Sequence, residues 1–118
     1  MLSNFVNIGV NHDSASVDLR ESIAFLPDKV IEASQRIIRE TALNEVVVLS
    51  TCNRTELYGI LPEKSDGVSA SEQLLEWIAH YHAVDLHRLS PSIYRNHNTA
   101  AASHLVRVAA GLNSMVLG

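Results

Sequence analysis

Glu45-Val-Val-Val-Leu-Ser-Thr-Cys-Asn-Arg-Thr-Glu-Leu-Tyr-Gly-Ile-Leu61 is the stretch on which the fold turns. Val46 to Leu49 form an unbroken, mostly β-branched apolar run, the pattern of a strand buried on both faces or nearly so. That strand is predicted over Glu45 to Thr51. A second follows over Arg54 to Leu61, with only Cys52 and Asn53 between them. So short a link, containing a good turn residue, predicts an antiparallel hairpin with Cys52 at its tip.

Upstream, Phe5 to Val10 reads as a first strand and Asn11 to Ser16 as a loop. Asp18-Leu-Arg-Glu21 fits a capping box with Asp18 as N-cap, opening a short helix that stops before Pro27. Pro27 suits the first turn of a second helix, whose apolar stripe is Val30, Ala33, Ile37 and Ile38. Downstream, Pro62 to Ala70 reads as a loop and Ser69-x-x-Glu72 as another capping box. Leu74, Leu75, Ile78 and Tyr81 then recur at helical spacing. Pro91 to Arg95 suits an edge strand, where proline is tolerated. Asn98 or Thr99 caps a last helix with the stripe Ala101, Leu105, Val108, Ala109 and Leu112, which Gly111 ends or bends. With the early short helix set aside, the order is a split βαβ arrangement. The expected fold is therefore α+β: a ferredoxin-like sandwich, an antiparallel sheet with helices packed on it. The 118 residues, 47% of them hydrophobic, suffice for one domain with one core.

Several function classes recede on composition. A net charge of −4 argues against a free-standing nucleic-acid binder, which usually carries a basic surplus. The apolar runs are too short to span a membrane, and no basic region precedes an apolar stretch at the N-terminus, so a cytoplasmic protein is expected. A lone cysteine forms no intrachain disulfide and suits a reducing compartment. His80, His82 and His87 are the only histidine cluster, without the cysteine partners or spacing of a structural zinc site. No Gly-rich phosphate loop is present, so no cofactor-binding residues are expected in this chain. The apolar ending Ser114-Met-Val-Leu-Gly118 has no stop signal and reads as a cut through a longer protein.

Ser50-Thr-Cys-Asn-Arg54 carries the chemistry. A thiol at the end of a buried strand is held rigidly and left open, as loop-borne catalytic groups often are. Arg54 can favour the thiolate, or grip a substrate carboxylate with its planar fork. Thr51 and Asn53 offer further polar contacts. On spacing alone, an inert cysteine beside a core strand is the more common case. His104 lies at the flank of the last helix's stripe and could reach a cleft edge as general acid or base. A partly buried helix histidine is the blander reading, and His12 and His97 read as loop histidines. Ser114 could point a hydroxyl into a site.

Three separated segments resemble one family. They are Ile8-Gly-Val-Asn-His12 with Leu19-Arg-Glu21, Val47-Val-Leu-Ser-Thr-Cys-Asn-Arg-Thr-Glu-Leu-Tyr58, and Ser103-His-Leu-Val-Arg-Val-Ala-Ala-Gly-Leu-Asn-Ser-Met-Val-Leu-Gly118. Together they resemble the N-terminal catalytic domain of glutamyl-tRNA reductase, an enzyme of tetrapyrrole (porphyrin, heme) biosynthesis. The resemblance implies that the nucleophile falls on Cys52, substrate binding on Thr51, Cys52, Asn53, Arg54 and Ser114, and a histidine important for activity on His104. It implies that the thiolate attacks the ester of glutamyl-tRNA, and that NADPH reduces the resulting thioester to glutamate-1-semialdehyde. NADPH binding and homodimerisation belong to domains absent from this chain, and glutamate-1-semialdehyde aminomutase is an implied partner. Two departures stand out: Asn113 where the family usually has Asp, and Asp13-Ser-Ala-Ser16 where it often has Lys-Thr-Ala-Pro. Two other classes stay open, a non-catalytic RNA-binding module and an unrelated hydrolase with a Cys52–His104 dyad.

Overall fold

The structure is a computed structural model that describes residues 4–117, with side chains through residue 112. Strand β1 (Phe5–Asn11) leads through a tight turn into helix α1 (Val17–Ser22). A 3-10 turn over Pro27–Lys29 runs into α2 (Val30–Glu40), followed by β2 (Glu45–Ser50) and β3 (Arg54–Ile60). Helix α3 (Gly67–Tyr81), the single turn α4 (Leu86–Leu89), β4 (Tyr94–His97) and α5 (Thr99–Leu117) complete the chain.

The strands form one sheet in the order β2-β3-β1-β4, with every neighbouring pair antiparallel. β1 and β2 are split by β3, as the expected ferredoxin-like α+β topology requires. Alternation along the strands gives the sheet two different faces. Val6, Ile8, Val10 and Leu57 enter the core with Ile37 of α2 and Leu74, Leu75 and Ile78 of α3, all essentially removed from water. Trp77 of α3 is tied to α2 by its Nε1 donating to Glu40 at 3.1 Å, with Arg36 over the ring. The other face presents Asn7 and Gly9 of β1 opposite Tyr58 and Glu56 of β3, and α5 packs there against β1 and β4.

Gly9 makes that second face possible. A Cβ at this position would stand 2.5 Å from the Thr55 carbonyl oxygen and 2.8 Å from Glu56 Cγ. Any side chain would therefore force β1 and β3 apart or expel Glu56.

Several local expectations are corrected. β2 is not buried on both faces: it is an edge strand, and Val47 is 63% exposed, left uncovered by the described residues. The N-cap of α1 is Ser16, whose hydroxyl accepts from Leu19 N, which puts Asp18 inside the first turn. Asp66, not Ser69, caps α3 by accepting from Val68 N. Its second carboxylate oxygen accepts from the Ser69 hydroxyl. The fourth strand starts three residues later than expected, because Pro91 sits in a 3-10 turn. Gly111 does not end the last helix: it lies inside α5, where an added Cβ would meet open space.

Candidate active site

The β2–β3 hairpin forms as expected and is tightened at its end. Thr51 N donates to the Arg54 carbonyl at 2.8 Å, and Asn53 N donates to Thr51 Oγ1 at 3.2 Å. One step below, the Ser50 and Thr55 hydroxyls meet at 3.1 Å, and Ser50 Oγ also accepts from Phe25 N. Cys52 is thereby held at a fixed tip with its thiol exposed. A side-chain amide turn follows β1: Asn11 Oδ1 accepts from both Asp13 N and Ser14 N. This turn delivers His12 to the same place. His12, Thr51, Cys52, Asn53 and Arg54 line one wall of a cleft of about 290 Å³, and Arg107 and Val108 of α5 contribute to the facing wall. Larger depressions exist, one of about 410 Å³ beside Asp66 and Gln73, but it holds neither the thiol nor a cation.

Beneath the cleft lies Glu56, a carboxylate with no exposure to water. Its Oε2 accepts from Arg54 Nη1 at 2.5 Å. Its Oε1 accepts from the Tyr58 hydroxyl at 2.5 Å and from Asn7 Nδ2 at 3.2 Å, and lies 2.9 Å from His104 Nε2. Burial alone would raise this carboxyl's pKa, but the donated bonds from Tyr58 and Arg54, with weaker help from Tyr94 and the His104 charge, outweigh it and hold the pKa below the ordinary value. Glu56 is therefore ionised at neutral pH, and Arg54 is its counter-charge. The same contact, added to burial, pushes the Tyr58 and Tyr94 hydroxyls upward, so both stay protonated. The Tyr94 hydroxyl is buried without a hydrogen bond of full geometry.

Thr51, Cys52, Asn53 and Arg54 thus come together in one cleft. His104 arrives from α5 but bonds to Glu56; Cys52 has no hydrogen bond to it among the described residues. The side chain of Ser114, like that of Asn113, lies outside the described residues. His97 is in β4, where its Nε2 is 2.8 Å from the Ser71 hydroxyl. Sequence reasoning passed over Glu56, Asn7 and Tyr58. A signal was present: Arg54, Glu56 and Tyr58 alternate along β3, which places three polar groups on one face. Among the described residues no three His, Cys, Asp or Glu side chains converge as metal ligands. No helix among them is long and apolar enough to cross a membrane.

Comparison with known proteins agrees over nearly the whole chain. The family model described as "Glutamyl-tRNAGlu reductase, N-terminal domain" matches residues 8–118. A glutamyl-tRNA reductase from Shewanella sp. (strain MR-7) is 44% identical over 115 residues, covering 98% of this chain and 26% of the relative. One from Aliivibrio fischeri is 49% identical over 111 residues, covering 94% of this chain and again 26% of the relative. The solved glutamyl-tRNA reductase from Methanopyrus kandleri superposes with a TM-score of 0.65 at 26% identity, over 97% of this chain and 24% of that one. The chain spans about a quarter of the length of the curated relatives it matches.

Proposed function

The chain belongs to the glutamyl-tRNA reductase N-terminal domain family, and on that premise we propose that Cys52 is the nucleophile that takes glutamate from its tRNA. The observation that carries this is the placement of an exposed thiol at a pinned hairpin tip, in one cleft with a guanidinium that a buried carboxylate holds from behind. The thiolate attacks the carbonyl carbon of the ester between glutamate and the terminal ribose. The carbon–oxygen bond to the ribose breaks, the ribose oxygen takes a proton, and a glutamyl thioester remains on Cys52.

Arg54 binds the glutamyl group. The α-carboxyl is consumed in the ester, so the free carboxylate is the one on the side chain. Nη1 of Arg54 is engaged with Glu56, and the rest of its fork is available to that carboxylate in a fixed orientation. Thr51 and Asn53 add polar contacts, and Ser114 is carried as a further substrate contact. His104 is a positioning residue in this reading: it holds Glu56, which holds Arg54, rather than exchanging a proton with the thiol.

The described residues do not fit NADPH. The sheet is wholly antiparallel, and among the described residues no glycine-rich turn opens a helix onto the cleft as a phosphate cradle. We therefore assign no hydride step to these residues. The reduction to glutamate-1-semialdehyde, its NADPH and the homodimer are placed in the part of the relatives that this chain does not span. The aminomutase partner belongs to the same proposal.

The rival readings fit less well. A Cys52–His104 dyad lacks its hydrogen bond. An RNA-binding sheet needs exposed aromatics, whereas Tyr58 is buried and the polar face lies under α5. The test is to incubate the protein with glutamyl-tRNA and follow glutamate release and intact mass, beside Cys52→Ser. A glutamyl adduct on the wild type alone is expected. Equal release by both proteins, with no adduct, would overturn the assignment.

A further inference from the structure

Arg54 and Arg107 line the same cleft as Cys52, yet they are prepared for different ligands. Arg54 comes from the rigid hairpin, its side chain is 17% exposed, and half its fork is committed to Glu56. It is a partly buried, preorganised cation set for a small carboxylate. Arg107 comes from the opposite wall on α5 and is exposed. It makes no ion pair or hydrogen bond among the described residues. No Asp or Glu lies anywhere in Thr99–Leu117 to neutralise it. His12 stands on the same cleft at the end of β1, with its side chain 54% exposed and only the solvent-facing Asp13 beside it at 3.6 Å. On a chain whose net charge is −4, Arg107 is an exposed cation with no acidic partner among the described residues.

The substrate's own layout sorts the two arginines. With the ester carbon at the thiol, the glutamyl side chain must run inward toward Arg54. The nucleotide half must then leave past the exposed rim, where its phosphodiester remains in contact with water. A long, unpaired, exposed cation suits a phosphate there, and adds affinity by releasing counterions rather than by shape. We infer that Arg107, across the cleft from His12, seats a phosphate of the single-stranded 3′ end of the aminoacylated tRNA. This assignment rests on the reading of Cys52 as the nucleophile toward glutamyl-tRNA.

The test follows the rate of glutamyl adduct formation on Cys52 by intact mass, for wild type, Arg107→Gln and Arg107→Lys. Two substrates are used over a range of salt concentrations: glutamyl-tRNA, and the glutamyl ester of adenosine, which carries the same ester without any phosphate. With glutamyl-tRNA, Arg107→Gln is expected to react several-fold more slowly at low salt. Its plot of log rate against log salt should be shallower by about 0.7, the value for one single-strand phosphate. Arg107→Lys should restore most of that slope, and the adenosine ester should show a much smaller loss. Equal losses on the two substrates would place Arg107 on the glutamyl group instead and overturn the inference. So would an unchanged salt slope in a wild-type-like Arg107→Gln. If the wild type forms no adduct with either substrate, the reading of Cys52 falls first and this inference with it.

Discussion

Replacing Glu56 with Gln removes one charge and almost no volume, so its cost isolates what the buried carboxylate does. The carboxylate offers one oxygen to Arg54 and the other to Tyr58, Asn7 and His104. An amide has a single oxygen. Its better placement is toward Tyr58 and Asn7, and its NH2 group then confronts the Arg54 guanidinium, donor against donor. A charge-assisted bond of about 1.5–3 kcal/mol is lost, and Arg54 is left as a largely buried cation without its partner. Breaking such a pair from one side costs roughly 3–5 kcal/mol. We expect about 3 kcal/mol, since Arg54 retains some contact with water and can swing into the cleft. That corresponds to a fall in Tm of roughly 12 °C or more for a domain of this size.

Urea unfolding followed by circular dichroism measures this, with Arg54→Met and the double variant completing a cycle. A coupling of about 2 kcal/mol between the two sites is expected. The sign with pH is fixed. Glu56 has a depressed pKa when folded, so its stabilisation is present above the ordinary carboxylate value and disappears as pH falls through the lower, folded one. The wild-type and Glu56→Gln stabilities should therefore converge in acid. A loss below about 1 kcal/mol at neutral pH, or strictly additive single variants, would refute the picture of one ionised carboxylate holding Arg54.

Other consequences can be checked on the same protein. Gly9→Ala should destabilise by about 1–3 kcal/mol through overpacking, because the new Cβ meets the Thr55 carbonyl, which is backbone and cannot rotate away; calorimetry reads the shift. Ser16→Ala should cost about 1 kcal/mol by removing the cap of α1, visible as a lower urea midpoint, whereas Asp18→Ala should cost less. Burial pulls the His82 pKa down from 6.5 to about 4, and its ring stands edge-on to Phe25 and Tyr81. The unfolded chain therefore takes up a proton first, and stability should decline as pH falls across that window. Urea midpoints at stepped pH should show that decline, and His82→Phe should flatten it.

The hairpin was legible because two strand-like runs with only two residues between them leave the chain few choices. Which strand lies at the edge was not. Val46 to Leu49 read the same whether one face or both are covered, and pairing partners distant in sequence decide that. The helix starts show a subtler limit. Ser16 and Asp18 are both good caps, and the contest is settled by which side chain reaches an amide, a matter of one turn's backbone. Helix α4 is a single turn, too short to display a period. In the site, the residues that reach the cleft from the hairpin were readable, since they are consecutive. Their support was not, because Glu56, Asn7 and His104 belong to β3, β1 and α5 and meet only after the sheet closes. Alternation announces that Glu56 shares a face with Arg54; it cannot announce which helix will roof that face.

The buried carboxylate also sets the smallest piece of this protein that can be transplanted. Grafting Ser50 to Arg54 onto a foreign hairpin would carry across a thiol and a guanidinium but leave the guanidinium free to wander. To bring its anchor, the graft needs Glu56 on the same strand and Asn7 on the neighbouring one. It also needs a residue as small as Gly9 opposite, and a helix that brings a histidine down from above. An engineer who wants this chemistry elsewhere must move three strands and a helix, and can then redesign the opposite face at will.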